Sequence, residues 1–131
     1  MPSRRIEDLH PELRVLHPRW VAACEAAGVT VLTTCTYRAQ AEQAELYAQG
    51  RTTPGAIVTW TLDSRHSETI NRSPAASAWD FVPLFAGKAV WQATNPAWLI
   101  AGEAAEALGL EWGGRWPKRK RDMPHVQMRR A

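Results

Sequence analysis

Ala78-Trp79-Asp80-Phe81-Val82-Pro83-Leu84 decides the fold class. Apart from one carboxylate the run is apolar and reads as a buried strand, and Ala86-Gly87 behind it is a turn that sends the chain back over residues 88–91 as a hairpin. Antiparallel pairing is therefore expected in the middle of the chain. Upstream, the β-branched residues over 29–34 predict a second buried strand, and Tyr37-Arg38 lead into a helix over 39–49 that Gly50 stops. Before that strand, Pro11 suits a first helical turn, and Leu13, Leu16, Trp20 and Cys24 recur at helical spacing up to Gly28. Pro18 predicts a kink or a split in this helix. Thr53-Pro54-Gly55 is a turn, and residues 57–60 predict a short strand. Asn95-Pro96 caps a helix that ends at Leu108-Gly109, and short strands follow over 110–112 and 125–128. Helices and strands mix without regular alternation, so the expected fold is α+β, a small, mainly antiparallel sheet with flanking helices.

A chain of 131 residues, 45% of them apolar, supplies one compact core, so residues 1–131 are expected to form a single domain with no second unit. No apolar run approaches the ~20 residues that span a bilayer, and the charged start with Pro2 and Pro11 is not a signal peptide. Synthesis in the cytoplasm without membrane insertion is the expectation. Cys24 and Cys35 belong to no CxxC or Cys/His cluster and read as buried thiols. A net charge of +3 with a pI near 9.2 suits an anionic polymer, whether nucleic acid or wall teichoic acid, and chooses neither.

Asp80 is the chemical anomaly, because an unpaired carboxylate inside an apolar strand is costly to bury. It needs a partner, and a metal ion is one candidate. His66, in Ser64-Arg65-His66, and His125, in Asp122-Met123-Pro124-His125, lie in segments that a sheet can bring to it. Two imidazoles and one carboxylate form a donor set that Zn2+ accepts, with a fourth position open for catalysis. Asp63 and Glu68 flank His66 as rival ligands. His10 and His17 lack neighbouring donors and read as structural or solvent-facing.

The blend and order of motifs carry further. Thr36-Tyr37-Arg38, Glu42-Gln43, Leu46-Tyr47-Ala48-Gln49-Gly50-Arg51-Thr52, Pro54-Gly55 and Ile57-Val58-Thr59 come first. Ser64-Arg65-His66, Ala78-Trp79-Asp80-Phe81, Leu110-Glu111-Trp112-Gly113-Gly114 with Trp116, and Asp122-Met123-Pro124-His125-Val126-Gln127 follow. Together they resemble the L-alanyl-D-glutamate peptidases of metallopeptidase family M15, which also holds D-alanyl-D-alanine carboxypeptidases and dipeptidases and many phage endolysins. The resemblance implies a Hedgehog/DD-peptidase-like fold, one zinc ion held by His66, Asp80 and His125, and Asp122 as general acid/base. It also implies that Arg38 faces the substrate, where a guanidinium binds a carboxylate or steadies an oxyanion. Ser64, Trp112 and Trp116 are placed beside the peptide stem, the two tryptophans with a core role as the alternative, and Glu111 is the reserve catalytic carboxylate. The implied activity is hydrolysis of the peptidoglycan stem between L-alanine and D-glutamate, by a monomer in phage or prophage lysis.

Two departures qualify the resemblance. Thirteen residues, Ser67 to Trp79, separate His66 from Asp80, more than relatives carry, so residues 67–77 hold an insertion, in which Asn71, Arg72, Ser73 and Pro74 are expected to form a substrate-facing flap. Arg115 stands where relatives often have an acidic residue. A D-alanyl-D-alanine carboxypeptidase and a non-catalytic, metal-containing wall-binding module are the alternatives. The basic run Lys118-Arg119-Lys120-Arg121 raises nucleic acid as a partner, but no aromatic-basic module surrounds it, so no specific nucleic acid is expected.

Overall fold

The hinge of the architecture is strand β4 (Ala78–Phe85), seen in a computed structural model that describes residues 1–130. On one side it pairs antiparallel with β1 (Thr30–Cys35), and on the other with β7 (His125–Met128), which pairs in turn with β6 (Leu110–Trp112). The short β5 (Lys88–Ala89) completes the expected hairpin on the far end of β4. Helices α1 (Pro11–Ala26) and α3 (Pro96–Ala107) pack against the sheet, while α2 (Gln40–Ala48) follows β1. The fold is α+β with an antiparallel sheet. No helix among the described residues is long and apolar enough to cross a membrane.

Between α1, α3 and the sheet, Trp20, Trp79, Phe81 and Trp98 form a chain of rings with neighbouring centroids 4.9 to 5.3 Å apart. His17 joins that cluster, packs tilted against Trp20 and edge-on to Trp79, and shares a 2.7 Å hydrogen bond with Thr33 Oγ1. Burial pushes its proton affinity down to about 4, so it serves as a neutral core residue. His10 instead caps α1, accepting a hydrogen bond from the Glu12 amide. Both thiols are buried.

Several expectations are corrected. Helix α1 runs unbroken through Pro18, which sits on its exposed face, where water can satisfy the freed carbonyl, while Leu13, His17, Trp20 and Cys24 anchor the other face. Strand β1 is only half-buried because it forms an edge of the sheet. Residues 57–60 form no strand. Instead, side chains from α2 and the turn after it take the carbonyls of this region: Gln49 bonds Ala56, Arg51 bonds Thr59, Gln43 bonds Thr61 and Gln40 bonds Leu62.

Candidate active site

Sheet register brings the candidate residues together. Asp80 lies opposite His125 on β7 and opposite Cys35 on β1, the second pairing made possible by a register shift between Thr33 and Cys35. His66 comes from a single 3-10 turn (Arg65–Ser67), which Ser64 caps by accepting a hydrogen bond from the His66 amide. Asp80 Oδ1 is 3.2 Å from His66 Nε2 and 3.3 Å from His125 Nδ1.

Each imidazole is fixed through its other nitrogen. His66 Nδ1 donates to the Thr36 carbonyl at 2.9 Å, and His125 Nε2 donates to Gln127 Oε1 at 2.8 Å. The Gln127 amide is itself oriented, since its nitrogen donates to Glu111 Oε2, which also accepts from Trp116 Nε1 at 2.7 Å. Such outer partners hold a histidine in the tautomer and the ring orientation that a metal requires. They also give Glu111 a positioning role, behind Gln127 and away from the cleft.

Burial disfavours a charge on His66, yet the adjoining Asp80 carboxylate overrides it and raises the proton affinity of the ring. Burial likewise opposes the Asp80 anion, and the two histidines reverse it, holding the carboxyl far below its ordinary range. The two groups thus favour each other's charged forms. A second donor combination, Cys35 with His66 and Asp80, has atoms mutually within 4.8 Å, so Cys35 does belong to a Cys/His cluster, contrary to expectation. Its sulfur lies 3.6 Å from His66 Nδ1, the nitrogen already committed to Thr36. The thiol thus faces the back of the ring, and His66 Nε2, Asp80 Oδ1 and His125 Nδ1 form the coherent donor face.

Around this face opens a cleft of about 910 Å³, lined among others by Arg38, Asp122 and Trp116. Asp122, Met123, Pro124 and His125 form a turn closed by the His125 amide on the Asp122 carbonyl, although a residue before proline ordinarily favours an extended backbone. Burial, followed by repulsion from Asp80, raises the proton affinity of the Asp122 carboxyl against the pull of His125, His66 and Arg38. Gly113 makes this position accessible: its carbonyl accepts the Asp122 amide, and a Cβ on it would lie 2.3 Å from the Asp122 carbonyl oxygen. Gly113→Ala should therefore cost about 1–3 kcal/mol in chemical denaturation, the usual range for overpacking, and should lower activity by moving Asp122. Unchanged stability would show that the turn yields freely.

Arg38 is pinned within the wall. Its Nη1 donates to Gln43 Oε1 at 3.0 Å, Nε lies 3.6 Å from Glu42, and Nη2 lies 3.9 Å from Asp80 Oδ2. Trp116 packs on His125 with ring centroids 5.2 Å apart. Trp112, by contrast, is a core residue: its indole lies against Gly102, where a Cβ would come within 2.2 Å of the ring, and its Nε1 donates to the Met123 carbonyl. Asp63 and Ser64 line the cleft, but Glu68 is turned away and paired with Arg65 and Arg130. The insertion forms a hairpin of β2 (Thr69–Ile70) and β3 (Ser73–Pro74) whose turn residues, Asn71 and Arg72, both have positive φ. It contributes no wall to the cleft.

A family described as D-alanyl-D-alanine carboxypeptidase, within peptidase family M15, matches residues 60–128, a span holding His66, Asp80, Asp122 and His125. The peptidoglycan L-alanyl-D-glutamate endopeptidase CwlK of Bacillus subtilis (strain 168) is 36% identical over 130 residues, covering 92% of this chain and 74% of the relative. The chain belongs to peptidase family M15. Among solved structures, the L-Ala D-Glu endopeptidase ChiX of Serratia marcescens matches with a TM-score of 0.66 at 25% identity, over 98% of this chain and 89% of that one. Family membership makes the chain a hydrolase of the peptidase class. Sequence reasoning named Thr36 and Gln127 within motifs but missed that they anchor His66 and His125, and it missed the placement of Cys35. Gln127 had a signal, because it lies two residues beyond His125 and so shares its face of the strand.

Proposed function

We propose that the protein is a zinc-dependent endopeptidase acting on the peptide stem of bacterial peptidoglycan at the L-alanyl-D-glutamate bond. The observation that carries this reading is the convergence of His66, Asp80 and His125, each imidazole anchored from behind, in a cleft that also presents Asp122 and Arg38. The donor chemistry fits zinc: two neutral nitrogens and one carboxylate oxygen would hold it. When bound, the ion supplies Lewis acidity, polarising a carbonyl and acidifying water. Asp122, whose burial favours proton uptake, takes the proton of the attacking water and returns it to the leaving amine. Arg38, braced by Gln43 and Glu42, offers its guanidinium to a stem carboxylate.

The endopeptidase assignment over carboxypeptidase is supported by the names of CwlK and ChiX, whereas the family description names the carboxypeptidase. Digestion of purified wall followed by identification of the new termini tests it. A free amine on D-glutamate is expected; release of free D-alanine would mark the carboxypeptidase instead. A phage or prophage lysis role, as a monomer made in the cytoplasm, forms part of this proposal. Its check is co-production with a membrane-permeabilising protein, which should lyse the host.

Metal binding should also move protons. Because Asp80 raises the proton affinity of His66, zinc binding near neutral pH should release protons, measurable by calorimetry in buffers of different ionisation enthalpy. Binding heats independent of the buffer would mean that His66 is already neutral.

A further inference from the structure

Beside the proposed metal face lies a feature that the chemistry above does not use. Trp60 is 56% exposed, although tryptophan is normally buried, and it forms one wall of the main cleft. It also lines a second hollow of about 380 Å³ together with Pro117, Arg119 and Lys120; Trp60, Pro117 and Lys120 border both cavities, which therefore adjoin. The exposure does not come from a loose loop. The carbonyls of Ala56, Thr59, Thr61 and Leu62 on either side of Trp60 are held by Gln49, Arg51, Gln43 and Gln40, and Gln43 is itself fully buried. Arg51 is fixed further by packing over the Tyr47 ring at 3.9 Å. A braced segment that exposes a large aromatic side chain in a hollow shared with a proline and two cationic residues is a prepared platform rather than a packing defect.

The chemistry of the substrate says what would lie there. In peptidoglycan the first stem residue is amide-linked to the lactyl group of an N-acetylated sugar. If the scissile bond follows that residue, only about 3.6 Å of peptide separates the reacting carbonyl from the lactyl group. A cleft that accommodates the bond must then accommodate or exclude the pyranose ring. Sugar rings present C–H faces that pack on indole, and their hydroxyl and N-acetyl oxygens accept hydrogen bonds from Lys and Arg.

We propose that Trp60 and Pro117, with Lys120 and Arg119 beside them, form a saccharide subsite adjoining the cleft, so that the protein prefers stems still joined to glycan over free stem peptide. This rests on the L-alanyl-D-glutamate reading, since only cleavage next to the sugar places a ring so near. The test compares kcat/KM for a disaccharide-linked tetrapeptide with that for the free tetrapeptide, in wild type, Trp60→Ala and Trp60→Phe. The wild type should prefer the glycan-linked substrate. Trp60→Ala should shrink that preference about tenfold, the scale of one lost aromatic contact, and Trp60→Phe should restore much of it. Circular dichroism and thermal melting on each variant confirm a native fold. A preference unchanged in a folded Trp60→Ala, an equal loss on both substrates, or the absence of any wild-type preference would each overturn the subsite while leaving the endopeptidase reading intact. Failure of the wild type to cut either substrate at this bond would overturn both.

Discussion

Asp122→Ala should fold, hold zinc near one equivalent, and lose wall hydrolysis by at least ~100-fold, the lower end for a positioned general acid/base. Its half-buried carboxyl lines the cleft beside, but not within, the His66, Asp80 and His125 donor face. Nothing in that face leans on its side chain: the backbone of Asp122, which the substitution preserves, makes the bonds to Gly113 and His125. Metal binding and turnover should therefore come apart at this residue. Zinc content and turnover measured on the same preparation decide the matter. A zinc-loaded variant with wild-type turnover would remove Asp122 from the mechanism, and loss of zinc would make it a ligand.

Asp80→Ala should behave in the opposite way, losing metal and activity together. Asp80 Oδ1 is the point on which both imidazoles converge, and without it two nitrogens remain, too few for a closed set of protein ligands. The substitution also leaves the buried His66 without its counter-charge, so Asp80→Asn, which keeps the shape, separates loss of ligation from loss of fold. Both variants should show background hydrolysis and greatly weakened zinc retention after dialysis. Wild-type zinc affinity in a folded variant would shift the third ligand to Asp63, which lines the same cleft; Glu68 is committed to Arg65 and Arg130.

The sequence was most informative where a local rule met a buried position. The strand around Asp80 could be read from its apolar run, and Asn95 and Pro96 announced the start of α3. The residues 57–60 carried the same β-branched signal as a strand, yet their surroundings are set by glutamines of α2, whose reach to backbone carbonyls no local pattern records. Pro18 broke a propensity rule without breaking the helix, because its exposed side let solvent absorb the missing bond. Within the site, the cost of burying Asp80 pointed to a partner, and the motif order pointed to which histidines. Cys35 stayed hidden because its alignment with Asp80 depends on a register shift in β1. Trp112 was ambiguous for a related reason: only the packing of α3 on β6 shows that Gly102 leaves room for its indole in the core.

The claim that most needs a direct measurement is that the His66, Asp80 and His125 face works by holding one metal ion. Purified protein stripped by chelator, with its metal content verified, should be inert in a turbidity assay on wall fragments and should regain full hydrolysis as zinc is added to about one equivalent per chain. Full hydrolysis by the verified metal-free protein would contradict the account.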